Sequence, residues 1–104
     1  MNGKNLLGLS KNMAKNKRLS PLENYKLTLG IELFKERGAA ILGELHRYQK
    51  KNGISINDAS NASIQASNKL SDLVNTKVYL ISSFDDLKKC NKQLDDVEKT
   101  FLNS

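Results

Sequence analysis

Residues 66–101, ASNKLSDLVNTKVYLISSFDDLKKCNKQLDDVEKTF, decide the fold because an apolar residue recurs at every seventh position. A seven-residue repeat keeps one apolar stripe of a helix facing a partner helix, as in coiled coils. No glycine or proline interrupts the chain from residue 54 to residue 104. This half is therefore predicted to form one long helix, B, over about residues 56–102. The repeat consists of Ala66, Leu73, Leu80, Leu87, Leu94 and Phe101.

Two features of this half compete with a continuous helix. Residues 74–84 are rich in β-branched and aromatic side chains, which favour a strand when the segment is taken alone. The strand is rejected because the sequence offers no second strand to pair with it. Ser82-Ser83 or Asn75-Thr76 could still kink helix B or break it into two.

The segment Ser20-Pro21-Leu22-Glu23 predicts the start of an earlier helix, A, over about residues 21–52. A serine at the N-cap and a glutamate three residues later form a capping box, and proline suits the first helical position. Helix A should end at Asn52-Gly53, where glycine favours a left-handed cap. Ser55 or Asn57 can cap helix B after a short connector of residues 54–56.

Helix A has its own apolar seam, with spacings of four and three residues that are typical of heptads. Gly38 falls in this seam, and we expect it to make room for a bulky residue of helix B such as Tyr79 or Phe84. A second, lighter stripe widens the apolar face and consists of Leu22, Leu29, Leu33 and Ala40. The seam consists of Leu27, Ile31, Phe34, Gly38, Ile41, Leu45 and Tyr48.

The predicted fold is all-α, an antiparallel helical hairpin of residues 20–104 with coiled-coil-like packing, because a tight turn joins A to B. Helix B exceeds helix A by about 15 residues, or ~23 Å, so part of its apolar stripe lacks cover. Either a short N-terminal helix or another chain should cover that part. The residues predicted to bind a partner are Leu80, Phe84, Leu87, Leu94, Val97 and Phe101.

Residues 1–19 form a basic arm that carries five basic and no acidic side chains, whereas the whole chain has a net charge of +6. The arm is predicted to be either a flexible, solvated tail or a short helix with Leu6, Leu9 and Met13 on one side. Clustered lysine and arginine can also contact nucleic-acid phosphates without reading sequence. The candidate phosphate contacts are Lys4, Lys11, Lys15, Lys17, Arg18, Arg47, Lys50 and Lys51.

The sequence offers no constellation for catalysis, for a cofactor or for a metal, so an enzyme is not expected. His46 is the single histidine and Cys90 the single cysteine, and neither has partners at metal-ligand spacing. Lys88, Lys89 and Lys92 would lower the thiol pKa of Cys90, but a small seam residue is the favoured interpretation. The carboxylate pairs at residues 85–86 and 95–96 are interpreted as partners of surface lysines three and four positions away.

A lone cysteine excludes an intramolecular disulfide, which favours the cytoplasm, and export by a signal-independent route stays open. The longest apolar run, residues 39–42, is far too short to cross a bilayer. In size, charge and helicity the chain resembles secretion-system subunits and their chaperones, phage accessory proteins and bacteriocin immunity proteins, without a shared motif.

Three functional hypotheses follow from this sequence. The leading hypothesis is a non-enzymatic module that self-associates or binds helices of a larger partner, as secretion chaperones, filament subunits and assembly subunits do. The alternative is a nucleic-acid-associated accessory protein that uses the basic arm. The third hypothesis is an immunity or inhibitor protein.

Overall fold

The structure is a computed structural model that describes residues 18–103, and all regular structure within them is helical. The predicted all-α class is confirmed. The predicted N-terminal helix over Leu6, Leu9 and Met13 lies outside the described residues. The elements are α1 (Pro21–Lys51), α2 (Ala62–Asn75), a 3-10 turn (Lys77–Leu80), α3 (Phe84–Val97) and a π-helical turn (Glu98–Leu102).

Helix α1 begins at the predicted capping box. The Ser20 hydroxyl accepts a hydrogen bond from the Glu23 N–H at 3.1 Å, and the Glu23 carboxylate accepts one from the Ser20 N–H at 2.9 Å. Pro21 occupies the first turn, where its missing donor is no loss. The helix ends at Lys51, and Gly53 then adopts a φ of 65°, a conformation that favours glycine.

Helix α2 packs antiparallel to α1, as predicted for the hairpin. Gln49, near the end of α1, donates to the Ser63 carbonyl at 3.0 Å and to the Ser67 hydroxyl at 3.3 Å. Near the middle of α1, Gly38 contacts Val74, which lies at the end of α2. Gly38 therefore makes room for Val74, and the prediction that it faces Tyr79 or Phe84 is wrong.

The connection between α1 and α2 is longer than the sequence predicts. Residues 52–61 form successive turns, and Asn61 caps α2 by accepting a hydrogen bond from the Ser63 N–H at 2.8 Å. The caps predicted at Ser55 and Asn57 are therefore wrong. Ser55 instead accepts from the Asn57 N–H at 3.1 Å within the connection itself, since short polar side chains compete locally for backbone donors.

The prediction of a single helix B over residues 56–102 is wrong, because the chain breaks at both points considered above. Helix α2 ends at Asn75, and the backbone is extended at Ile81 and Ser83. The Ser83 hydroxyl accepts from the Asp86 N–H at 3.1 Å, and the Asp86 carboxylate accepts from the Ser82 N–H at 3.1 Å. These bonds satisfy backbone donors that open a new helix, and the two acidic residues of its first turn favour the positive end of the helix dipole.

Helix α3 folds back along α1 and runs parallel to it. Leu87 at the start of α3 lies against Gly30, Leu94 lies near Gly38, and the Phe101 and Tyr48 rings meet edge to face at 5.7 Å. Leu94 has no exposed surface, and Val97 and Phe101 pack against the same core. The expectation that helix B extends beyond its cover is therefore wrong, because α1 covers both halves of the apolar stripe.

Arg37 forms a polar link between α1 and the C-terminal segment. Its guanidinium donates to Asp95 at 2.6 Å, to Glu98 at 2.6 Å and to Asn91 at 3.3 Å. The hydrogen bond from Arg37 to Asp95, followed by the one to Glu98, raises the pKa of the guanidinium above its ordinary value. The other ion pairs within residues 18–103 join positions no more than five apart. Arg37 therefore carries the long-range charge pairing of the described bundle.

Replacing Asp86 with asparagine should reduce the acid sensitivity of the fold. The hydrogen bond from the Ser82 backbone lowers the pKa of Asp86 below its ordinary value of 3.8. A group whose pKa is lowered on folding contributes stability above that ordinary value and loses it as pH falls below it. Thermal unfolding should therefore show a smaller drop in Tm from about pH 5 to about pH 3 for Asp86→Asn than for the wild type. An unchanged drop would contradict this role, and Asp85→Asn in the same turn is the matched control.

Candidate functional site

Most of the large apolar side chains that remain exposed lie at one end of the bundle, which we call the apolar end. It comprises the first half of α1 together with the connection from α2 to α3. Ile56, in the connection between α1 and α2, is the exposed large apolar residue at the opposite end among residues 18–103. The apolar end consists of Leu22, Tyr25, Leu29, Leu33, Tyr79, Leu80 and Phe84.

The α1 part of the apolar end points away from the bundle. At 100° per residue, Leu29 lies about 200° around the helix from buried Leu27. The lighter stripe of α1 was expected to widen the face buried against helix B. Because α2 and α3 both pack on the opposite side, Leu22, Leu29 and Leu33 are exposed instead. The stripe is visible in the sequence, but the sequence does not indicate which side of α1 the other helices cover.

The connection between α2 and α3 adds three exposed side chains to the apolar end. Val78 is buried and anchors the 3-10 turn in the core, whereas the next two residues, Tyr79 and Leu80, are exposed. The Lys35 ammonium lies 5.9 Å from the centroid of the Tyr79 ring, which fixes this turn beside α1. Phe84 opens α3 one turn before Leu87, which contacts Gly30. The turn and the start of α3 therefore lie at the same level as the first half of α1.

The structure separates the residues predicted to bind a partner into two groups. Leu80 and Phe84 are exposed and belong to the apolar end. Leu87 is half-buried against Gly30, and Leu94 is wholly enclosed. Val97 and Phe101 are half-buried at the other end of the bundle. These last four residues were predicted to bind a partner because helix A was expected to leave their apolar stripe uncovered. Since α1 covers that stripe, this reason no longer holds.

The residues predicted to contact phosphate are not brought together within the described part of the chain. Arg47 pairs with Glu44 one turn away, and Lys50 and Lys51 are exposed at the end of α1. Arg18 is exposed before the opposite end of α1. The remaining candidates, Lys4, Lys11, Lys15 and Lys17, lie outside the described residues.

The side chains that the sequence offered as candidates for catalysis or metal binding lie in surroundings that are common for surface and core residues. Cys90 is half-buried against the core, and burial, followed by the charge of Asp86, raises the pKa of its thiol. The expectation that lysines would lower that pKa is wrong in direction, since burial outweighs the opposing charge of Lys77. His46 is exposed. Of the carboxylate pairs, Asp85 and Asp96 pair with lysines four residues away, whereas Asp95 binds Arg37.

Residues 18–103 contain neither a cluster of metal ligands nor a membrane-spanning helix. No three histidine, cysteine or acidic side chains are grouped as metal ligands. No helix combines the length and the apolar character needed to cross a bilayer.

Comparison with known proteins places the described bundle beside bacterial antitoxins. Residues 23–103 match the family described as bacterial epsilon antitoxin. The chain is similar to the antitoxin PezA of Streptococcus pneumoniae serotype 4 (strain ATCC BAA-334 / TIGR4), with 47% identity over 87 residues. The match covers 84% of this chain and 55% of PezA, so the chain spans about half the length of that curated relative.

A solved structure gives the same result in three dimensions. It comes from the molecular and structural characterization of the PezAT chromosomal toxin–antitoxin system of the human pathogen Streptococcus pneumoniae. The two structures superpose with a TM-score of 0.76 at 48% identity, over 82% of this chain and 90% of that one. The likeness therefore extends over most of both chains.

Proposed function

This chain belongs to the bacterial epsilon antitoxin family, and from that premise we propose that it binds a toxin protein and inhibits it. The inhibition proceeds by binding alone, and this chain contributes no catalytic group. The observation that carries the proposal is the match of residues 23–103 to an antitoxin family.

The organisation of the bundle supports a binding role. The described chain closes its own core around Phe34, Leu45, Leu70 and Leu94, which are almost wholly buried. It therefore presents a preformed surface to a partner and has no need of that partner to complete its core. A preformed surface loses less conformational entropy on binding than a segment that must fold as it binds.

This proposal keeps the protein-binding role of the hypothesis that the sequence placed first and replaces the types of protein that it named. The secretion chaperone and the filament subunit were motivated by an apolar stripe beyond the reach of helix A, and α3 removes that motive by folding back. The immunity or inhibitor protein, placed third from the sequence, agrees best with the family. The nucleic-acid hypothesis depends mainly on arm residues outside the described part of the chain and gains no support from the comparisons.

Co-expression tests the proposal directly. The toxin of the pneumococcal PezAT system and the proteins encoded beside this chain's own gene are each expressed from an inducible promoter. At least one of them should arrest growth, and co-expression of this chain should restore growth. The purified pair should also elute together on size exclusion. The proposal is wrong if this chain neither restores growth nor forms a complex with any of these proteins.

A further inference from the structure

We propose that a cavity between the end of α1 and the start of α2, the hairpin cavity, binds the C-terminal residue of a peptide chain when that residue is apolar. The cavity measures about 440 Å³. Its walls come from α1, α2 and the connection between them, and no described residue of α3 lines it. Binding at this cavity is independent of the proposed inhibition of a toxin.

Three isoleucines form the apolar wall of the hairpin cavity. Ile64 is buried in α2, Ile54 is half-buried in the connection, and Ile56 is 78% exposed. The Ile54 N–H donates to the backbone carbonyl of Gln49 at 2.9 Å, which holds the connection over the end of α1. An aliphatic side chain that enters the cavity would therefore remove apolar surface from water on both sides of the contact.

The side chain of Gln49 supplies a buried hydrogen-bond acceptor. Gln49 is 6% exposed and lines the cavity. Both hydrogens of its amide group are used, by the Ser63 carbonyl and by the Ser67 hydroxyl, which itself donates to the Ile64 carbonyl at 3.0 Å. The side-chain oxygen of Gln49 accepts no hydrogen bond from residues 18–103. A buried acceptor without a donor is costly, so a ligand N–H that reaches this oxygen is favoured.

The rim of the hairpin cavity is basic. His46 and Lys50 lie four residues apart on α1, so they share one face, and both are exposed. Lys50 has no ion-pair partner among residues 18–103, and no acidic side chain of that range lines the cavity. An anionic group on the ligand is therefore favoured. The acidic residues of the neighbouring turns are each bonded to a residue no more than five positions away, and they are Glu44, Asp58 and Asp72.

These three features together match the end of a peptide chain. A C-terminal residue carries its side chain, its N–H and its carboxylate on a single Cα atom, so all three can enter one small cavity. A fatty acid lacks the N–H, and an internal peptide segment lacks the carboxylate. A volume of about 440 Å³ also falls in the range of sites for ligands larger than one amino acid. The residue before the last one therefore has room as well.

Fluorescence anisotropy with modified peptides tests each contact. The probe is a fluorescein-labelled pentapeptide that ends in leucine with a free carboxyl group, and the wild-type chain should bind it. Amidation of the carboxyl group should raise the Kd about three- to fivefold, the range for an exposed ion pair. Methylation of the leucine nitrogen should raise it at least about tenfold, because the buried oxygen of Gln49 loses its donor. Replacing the final leucine with asparagine should also raise it at least about tenfold.

Variants of this chain assign the contacts to residues. Lys50→Gln should bind the free acid and the amide equally, whereas Lys51→Gln, one position on and outside the cavity wall, should keep the wild-type difference. Ile56→Gln should raise the Kd of the free acid at least about threefold, because it removes an apolar wall. Leu80→Gln is its matched control, since Leu80 is 74% exposed in the other connection. Circular dichroism and the urea midpoint should be unchanged in all four variants.

Three results would overturn the proposal. The first is that the wild-type chain does not bind the free-acid peptide at millimolar concentration. The second is that the amidated or the N-methylated peptide binds as tightly as the free acid. The third is that acetyl-leucine binds as tightly as the pentapeptide, which would assign the cavity to a free acylated amino acid. None of these results affects the co-expression test, so the proposed function stands or fails separately.

Discussion

Replacing Leu94 with alanine should lower the free energy of unfolding by about 3 to 5 kcal/mol, the upper part of the range for buried leucines. Leu94 has no exposed surface and lies between α3 and α1 close to Gly38. Removing its isopropyl group leaves a cavity beside the α1 backbone at Gly38, which has no side chain to fill it. A loss of this size is a large fraction of the stability of a small domain.

Urea unfolding followed by circular dichroism measures this loss, and Leu80→Ala provides the matched control. Both substitutions remove the same atoms at positions of the seven-residue repeat, but Leu80 is 74% exposed. The control should therefore change the free energy of unfolding by no more than about 0.5 kcal/mol. If the two variants lost similar stability, a continuous helix B would describe the chain better than the folded-back α3.

Replacing Gly38 with alanine should destabilise the protein by about 1 to 3 kcal/mol, the typical cost of overpacking a core. A Cβ atom at this position would overlap Val74 Cγ1. Valine is stiff at its first side-chain torsion and holds that methyl close to the α2 backbone, so it cannot turn aside cheaply. This clash outweighs the roughly 1 kcal/mol that alanine gains over glycine inside a helix.

Gly43→Ala is the control for this substitution because it makes the same change in the same helix. Apart from adjacent residues and the nearby backbone of α1 itself, no atom lies within 4 Å of a Cβ atom built at Gly43, so the helix-propensity gain of about 1 kcal/mol should appear as added stability. Thermal unfolding should therefore show opposite shifts in Tm for the two variants. Adding Val74→Ala should relieve the overlap at Gly38, and a double variant that showed no such relief would contradict the proposed clash.

The helix that the sequence predicted best is α1, because the signals that bound it are local. Ser20, Pro21 and Glu23 act within four residues, and so does Gly53 at the other end. The same kind of signal marks the start of α3, where Ser83 and Asp86 form a cap. The seven-residue repeat overrode that signal because both halves of helix B pack against α1. When two successive helices pack on the same partner helix, their apolar residues can keep the seven-residue spacing that one continuous helix would show.

The apolar end was only partly predictable, since exposure is a property of the whole bundle. Leu80 and Phe84 were expected to bind a partner and are exposed. Leu22, Leu29 and Leu33 were recognised as a stripe but assigned to the buried face. Tyr25 and Tyr79 were not considered as binding residues at all. No pattern within α1 states which of its two apolar faces a second and a third helix will cover.

What the sequence determined alone is the helical character of the chain and the limits of α1, because capping and helical spacing depend on residues only a few positions apart. The tertiary structure decided the direction of α3, the enclosure of Leu94 and the exposure of the apolar end. Each of these depends on contacts between residues about 55 apart, such as Gly30 with Leu87 and Gly38 with Leu94. Contacts at that separation depend on how the chain turns at Thr76 and Ser83. The spacing of the leucines does not predict these turns.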